Sequence, residues 1–277
     1  MTRREFGTLA LAAASAAGQT QPAVTRYVRF RGRSTTAYGI LKGEVIREIR
    51  GDLFGAYKIT KATHRLKDVK LLCPCEPPKI LAVGFNYMLE IGKRKPPERP
   101  EIFFKPVSAL QSPGDPIVWP EGATKVFYEG EMAAVIGKQA RRVSPEQARE
   151  VIFGVTCGND VSEREWQEGK NKDLQWWRGK GCDTFAPLGP VLVRGLDFGK
   201  LHIETRLNGK VVQSASTAQM VFDTPAIVSW ISQYMTLVPG DVIYTGTPGT
   251  TGPMKPGDTV EIELEGVGVL RNPVAAT

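Results

Sequence analysis

Short runs in which apolar and polar residues alternate with a period of two recur along this chain, and they predict strands. Arg26 to Phe30 and Ala37 to Leu41 read this way, and the segment ending at Ile49 continues the pattern across a turn at Lys42-Gly43. Residues from about Val24 to Lys70 therefore form a small β-rich N-terminal unit. The run Cys73-Pro74-Cys75-Glu76-Pro77-Pro78 follows as a rigid connector, because proline fixes φ and removes a backbone donor. A subdomain boundary is placed there, giving a unit over residues 21–75 and a larger one over 76–277.

Beyond the connector, Lys79 to Gly84 predicts a buried strand, Pro96 to Pro100 an irregular loop and Glu101 to Lys105 a short strand. Glu129 to Ile136 and Val151 to Cys157 predict strands on either side of a helix. That helix starts at Ser144-Pro145-Glu146, where Ser at the cap and Pro at the first helical position are helix-start chemistry. From Leu201 onward the pattern is strand, a turn at Asn208-Gly209, strand, a helix around Pro225 to Tyr234, and strands at Asp241 to Thr245 and Thr259 to Leu264. The class is α+β and strand-rich, with no internal repeat.

The first twenty residues break this pattern. Arg3 and Arg4 precede an uncharged Leu- and Ala-rich stretch from Gly7 to Ala17 with small residues at Ala14-Ser15-Ala16. A charged start, a short apolar run and a small-residue cleavage site resemble a twin-arginine export signal over residues 1–20, so a periplasmic location is expected. If the stretch is instead an N-terminal helix, the protein stays in the cytoplasm. No other stretch approaches the roughly 18 uninterrupted apolar residues that a spanning helix needs, and no membrane association is expected after signal removal.

Composition narrows the classes further. Lys and Arg number 36 against 29 Asp and Glu, a formal charge of +7, but acids and bases interleave along the chain rather than forming a basic stripe. Nucleic acid is therefore not an expected partner. At 42% hydrophobic residues the 277-residue chain has material for a substantial core. Of four cysteines, Cys73 and Cys75 form a C-x-C without a His or Cys partner set, which is a poor zinc site; buried thiols are expected.

Chemistry concentrates around Tyr128-Glu129-Gly130-Glu131-Met132. On a strand, carboxylates two residues apart face the same side, and they repel unless a positive charge lies between them. A hard divalent cation answers that need, and Mg²⁺ or Ca²⁺ suits these oxygen donors better than zinc. A third carboxylate, Asp160, follows the apolar run that ends at Asn159.

The surrounding motifs carry a resemblance. Val83-Gly84-Phe85-Asn86-Tyr87, Phe103-Phe104-Lys105-Pro106, Glu129-Gly130-Glu131-Met132-Ala133, Asn159-Asp160-Val161-Ser162, Arg178-Gly179-Lys180-Gly181-Cys182-Asp183, Pro187-Leu188-Gly189-Pro190, Pro239-Gly240-Asp241 and Thr245-Gly246-Thr247-Pro248 occur in one order. In this the chain resembles the fumarylacetoacetate hydrolase family, from about Lys79 to Pro273.

The resemblance implies a mixed β-sandwich roll, a homodimer, and a metal site made by Glu129, Glu131 and Asp160. That site would hold Mg²⁺, with Ca²⁺ or Mn²⁺ as alternatives, and bind a β-diketo or 2-oxo acid. It also implies that Lys180 stabilises developing negative charge, that Arg164 and Gln167 border the pocket, and that Thr247 contacts the substrate; Lys105 is a candidate for a structural role. One departure stands out. In hydrolytic and decarboxylating relatives a His three residues after the Tyr and a Glu three further on activate water, whereas here those positions hold Glu90 and Lys93. Neither His64 nor His202 falls in a family motif. Glu90 is thus either a candidate acid or base or a solvated lid residue, and the inserted Lys93-Arg94-Lys95-Pro96-Pro97 stretch suggests a lid that selects an anionic substrate.

Two functions follow. One is a metal-dependent enzyme that hydrolyses a C–C bond, or decarboxylates or isomerises a hydroxymuconate-type diacid. The other is a catalytically silent, exported binding protein for oxo acids, motivated by the missing His.

Overall fold

The computed structural model describes residues 23–277 apart from residues 33 and 34. The predicted export segment lies outside the described residues. Three antiparallel connections link the strands Thr25–Arg31, Thr36–Lys42, Val45–Gly51 and Tyr57–Arg65. Gly43 at φ 58° makes the tight turn between the second and third, a conformation a side chain would resist.

This N-terminal meander is continuous with the rest of the chain. Thr25–Arg31 pairs antiparallel with Ala186–Arg194, opposing Thr25 to Arg194. From there one large sheet runs through Ile152–Asn159, Gly130–Ile136, Val242–Tyr244 and Ile80–Gly84 to its edge at Glu101–Lys105. The strand Gly130–Ile136 is buried along its whole length, and so is all but one residue of Ile152–Asn159. That explains why they read as unbroken apolar runs rather than alternating ones.

A second sheet packs on this centre, with Lys210–Ser216, His202–Leu207, Thr259–Leu264, Gly268–Ala275 and Ile117–Val118 in spatial order. Its hairpin turns at Asn208 and Gly209, both at positive φ, as the Asn-Gly pair predicts. A small third sheet joins Ser162–Glu163, Val126–Tyr128 and Gly252–Pro253 above the acidic residues.

Five α-helices are described: α1 (Met88–Ile91), α2 (Pro145–Val151), α3 (Arg164–Glu168), α4 (Trp177–Gly181) and α5 (Thr224–Tyr234). The start of α2 carries the predicted chemistry as a full capping box, Ser144 with Gln147. The Asp223 side chain accepts from the Ala226 N–H at the start of α5. Besides the last strand, Gly268–Ala275, and several two- or three-residue strands, two kinds of element were not predicted. The strand Ala186–Arg194 hides behind Pro187, Gly189 and Pro190, residues that normally argue against a central strand. Helices α1, α3 and α4 are four or five residues long, too short to show a helical period.

Candidate metal centre

Glu129, Glu131 and Asp160 offer carboxylate oxygens that all lie within 4.8 Å of one another, and all three are buried. Adjacent strands bring them together, since Gly130 opposes Asn159 and Glu131 opposes Gly158 in the central sheet. Two backbone links tighten the corner. The Asp160 N–H donates to the Glu129 carbonyl at 2.9 Å, and the Glu129 N–H donates to the Asn159 side chain at 2.9 Å.

Gly130 separates the acids for a packing reason. A Cβ there would lie 1.9 Å from Thr205 Oγ1 and 3.2 Å from Ile262 of the second sheet. The sequence reading attached no role to that glycine.

Buried negative charge is matched by buried positive charge. Lys180 Nζ donates to Glu129 at 2.8 Å and to Asp160 at 2.7 Å. Lys105 Nζ donates to the other Asp160 oxygen at 2.5 Å, and Arg164 to Glu129 at 2.6 Å. Ser162 Oγ adds a 2.8 Å hydrogen bond to Glu129, and the Gly246 N–H donates to Glu131 at 2.7 Å. Burial works against the Lys180 ammonium, but Asp160 and Glu129 outweigh it and hold its pKa above the ordinary value. Burial also opposes ionisation of Asp160, yet Lys105 and Lys180 keep it below the usual carboxylate range. Glu131 touches no ammonium, and burial followed by the charges of Asp160 and Glu129 pushes its pKa well up. Burial lowers the pKa of Lys105.

The glycines beside Lys180 matter through close approach. A Cβ on Gly179 would sit 3.2 Å from Gln167 and from the Glu163 carbonyl, and one on Gly181 would sit 2.9 Å from Pro106. They let α4 press against α3 and the strand Glu101–Lys105, which drives Lys180 inward. Phe103 covers it, its ring centroid 4.9 Å from Lys180 Nζ, and Trp176 packs edge-on against Phe103 at 5.6 Å.

All eight residues singled out from the sequence line one small chamber of about 20 Å³: Glu90, Glu129, Glu131, Asp160, Arg164, Gln167, Lys180 and Thr247. Phe85 and Trp176 complete its wall, both held at positive φ, 56° and 57°. Bulky side chains resist that conformation, and such residues cluster where function requires them. Thr247 gives its one hydroxyl proton to the Gly130 carbonyl at 3.0 Å and accepts from Gln213 at 2.9 Å, so it faces the chamber as an acceptor. Glu90 is tethered least. Its Oε2 is buried without a hydrogen-bond partner among the described residues, and burial, then the Glu129 charge, pushes its pKa up to about 7. His64 and His202 bond to Glu48 and Ser214, and neither lines the chamber.

Sequence reasoning missed Ser162, the Gly246 N–H and Trp176, and it left Lys105 uncertain. Lys105 proves wholly buried, bonding Asp160 and the carbonyls of Val161 and Lys180. A wider concavity of about 930 Å³ lies along Phe104, Val107, Leu174 and Trp177, but none of the three acids lines it.

An all-oxygen, anionic, buried donor set is what a hard divalent cation requires, so these residues fit one. The comparisons with known proteins agree with that chemistry. A family model described as fumarylacetoacetate (FAA) hydrolase C-terminal matches residues 79–275, and one described as Rv2993c-like, N-terminal, matches residues 25–74. The mitochondrial oxaloacetate tautomerase fahd2 of Xenopus laevis is 41% identical over 220 residues, covering 75% of this chain and 69% of its own. The crystal structure of 2-hydroxyhepta-2,4-diene-1,7-dioate isomerase from Mycobacterium marinum is 42% identical with a TM-score of 0.85, covering 91% of this chain and 99% of its own. Maleylpyruvate hydrolase from Sphingobium sp. SYK-6, solved with manganese(II) and pyruvate, is 31% identical with a TM-score of 0.75, again covering 91% and 99%. With its family model spanning most of the chain and its sheets superimposing on these enzymes, the protein belongs to the fumarylacetoacetate hydrolase family.

Proposed function

We propose that this protein moves a proton within a small 2-oxo acid, interconverting its keto and enol forms or shifting a double bond, with a divalent cation held by Glu129, Glu131 and Asp160. The cation, Mg²⁺ by its donor set, supplies Lewis acidity next to the oxo group.

The observation that carries this reading is the charge balance of the chamber. At the cation site the carboxylates of Glu129, Glu131 and Asp160 meet Lys180 and Arg164 and, behind the chamber wall, Lys105, so this cluster is close to neutral, with Glu90 set apart as a fourth carboxylate. The added divalent charge then suits two negative charges on the 2-oxo head, which carries one as its carboxylate and gains the second only when it loses a proton to form the enolate. The site is thus better matched to the enolate than to the keto acid, which is what accelerates proton removal. Lys180, beside Glu129 and Asp160, supplies positive charge where the oxyanion develops.

Glu90 supplies the proton-transfer group. Its carboxylate takes a proton from the carbon beside the oxo group, breaking the C–H bond and leaving the electron pair in the enolate, and returns it to oxygen or to another carbon. Burial raises the pKa of this carboxyl above the ordinary glutamate range, which makes it a stronger base than an exposed glutamate. No histidine lines the chamber to activate water, which favours proton transfer over hydrolysis. The hydrolase and tautomerase names among the relatives are compatible with one shared enolate step.

The test is proton NMR of oxaloacetate, acylpyruvates and hydroxymuconate-type diacids in D₂O, with and without Mg²⁺. Deuterium should appear beside the oxo group in the presence of metal, and Glu131→Ala should abolish it. Full activity of the metal-free Glu131→Ala protein would sink the proposal. Mg²⁺-dependent binding of these acids without exchange or product would instead establish the binding protein.

A further inference from the structure

The inner chamber has room for little more than one water-sized group, the size of the cation, so an oxo acid bound at that cation must extend out of it. It leaves into an outer chamber of about 300 Å³ that shares Phe85, Glu90, Arg164, Gln167 and Trp176 with the inner one. The outer walls are apolar at Phe85, Leu89, Phe127 and Trp176, which suits a hydrocarbon linker.

Two guanidinium groups face this outer space, and they differ in what they already hold. Arg164 is committed: it bonds Glu129 at 2.6 Å, Thr251 at 3.0 Å and Gln167 at 3.2 Å, and lies 3.9 Å from Glu168. Arg94 has no carboxylate partner among the described residues. Its guanidinium lies 5.1 Å over the ring of Phe85, the residue held at φ 56°. A planar cation on an aromatic platform is oriented while its in-plane N–H donors stay free, which is the arrangement that binds a carboxylate. Thr250 and Thr251 line the same wall, and the Thr251 hydroxyl accepts from Arg164. The wall's acids are Glu90 and Glu168, and Glu168 is largely exposed and already beside Arg164.

We propose that Arg94 is a specificity-determining residue, forming with Thr250 a second anion subsite that reads the distal carboxylate of a 2-oxo diacid whose oxo-acid end lies at the mouth of the inner chamber. This rests on the cation site binding the oxo-acid head, as argued above. It assigns a purpose to the basic stretch after α1: a monoacid of the same length meets an unpaired cation, a diacid completes it.

The experiment is calorimetry on the protein with saturating Mg²⁺, using pairs that differ only in the distal carboxylate: 2-oxoglutarate against 2-oxopentanoate, and 2-oxoadipate against 2-oxohexanoate. Oxalate probes the head site alone. The diacid of at least one pair should bind about tenfold or more tighter than its monoacid, as a charge-assisted pair allows. Arg94→Gln should erase that preference while leaving oxalate and the monoacids unchanged. Equal affinity within both pairs, or a preference that survives Arg94→Gln, overturns the subsite while oxalate and the monoacids still bind. If neither oxalate nor any oxo acid binds, the head-site reading itself fails and the subsite falls with it.

Discussion

Lys105 donates a hydrogen bond from its buried ammonium to the backbone carbonyl of Lys180 at 2.5 Å. One lysine thereby holds the other in place. Lys105 ties the edge strand Glu101–Lys105 to α4 and to Asp160 at once, while Lys180 is left to face the chamber.

Removing the Lys105 charge should therefore damage the fold as well as the site. Lys105→Met leaves an Asp160 oxygen and two carbonyls without their donor, and breaking such a buried pair costs about 3–5 kcal/mol. Urea unfolding should show a lower midpoint, and a variant as stable as the parent would refute the structural role.

Glu90 makes stability depend on pH in the direction opposite to a paired acid. Its folded pKa of about 7 lies above its unfolded value near 4.5, so the native state holds the proton more tightly. The associated stability is present below about pH 4.5 and is lost as pH rises through 7. Without metal, Glu90→Gln should be more stable than the parent at pH 8 by up to about 3 kcal/mol, and no more stable at pH 4. Denaturant titrations at the two pH values decide this, and a gain of equal size at both would remove ionisation as the cause. The same variant should lose the metal-dependent proton exchange that the parent shows, because an amide cannot take up the proton.

The glycine between the two acids tests how the sheets meet. Gly130→Ala should cost about 1–3 kcal/mol through overpacking against Thr205. Combining it with Thr205→Ala should recover part of the loss, because the two sites share one contact. Additive effects in the double-mutant cycle would show that the clash is relieved elsewhere.

The expectation of export comes from residues 1–20 alone. Fused to a folded reporter in a bacterial host with the twin-arginine system, that segment should carry the reporter to the periplasm, and Arg3→Lys with Arg4→Lys together should retain it in the cytoplasm. Cytoplasmic reporter with both arginines intact would show that the segment is no signal.

Much of this molecule was legible before any coordinates. Apolar and alternating runs marked many of the longer strands to within about two residues, as at Glu101–Lys105 and Thr259–Leu264, because side-chain alternation is a local property of extended backbone. Ser144-Pro145 and Asn208-Gly209 announced their structures for the same local reason. Motif order carried the family, and a Glu-x-Glu pair followed by an Asp carried the demand for a cation. The strand Ala186–Arg194 was not legible, because its prolines argue locally for a turn while its neighbours on both sides supply the pairing.

What the sequence by itself determined was therefore an inventory: strand-forming segments, helix starts, three acids that repel one another, and a glutamate where relatives place a histidine. Only the tertiary structure decided how those charges are met. Asp160 lies 55 residues from Lys105 and 20 from Lys180, yet both ammonium groups bond it. Whether Glu90 is an ordinary surface acid or one with a pKa of about 7 depends on burial and on Glu129, which is 39 positions away in sequence. Electrostatic energies depend on distance and desolvation, and both are set by packing between segments that the linear pattern does not connect.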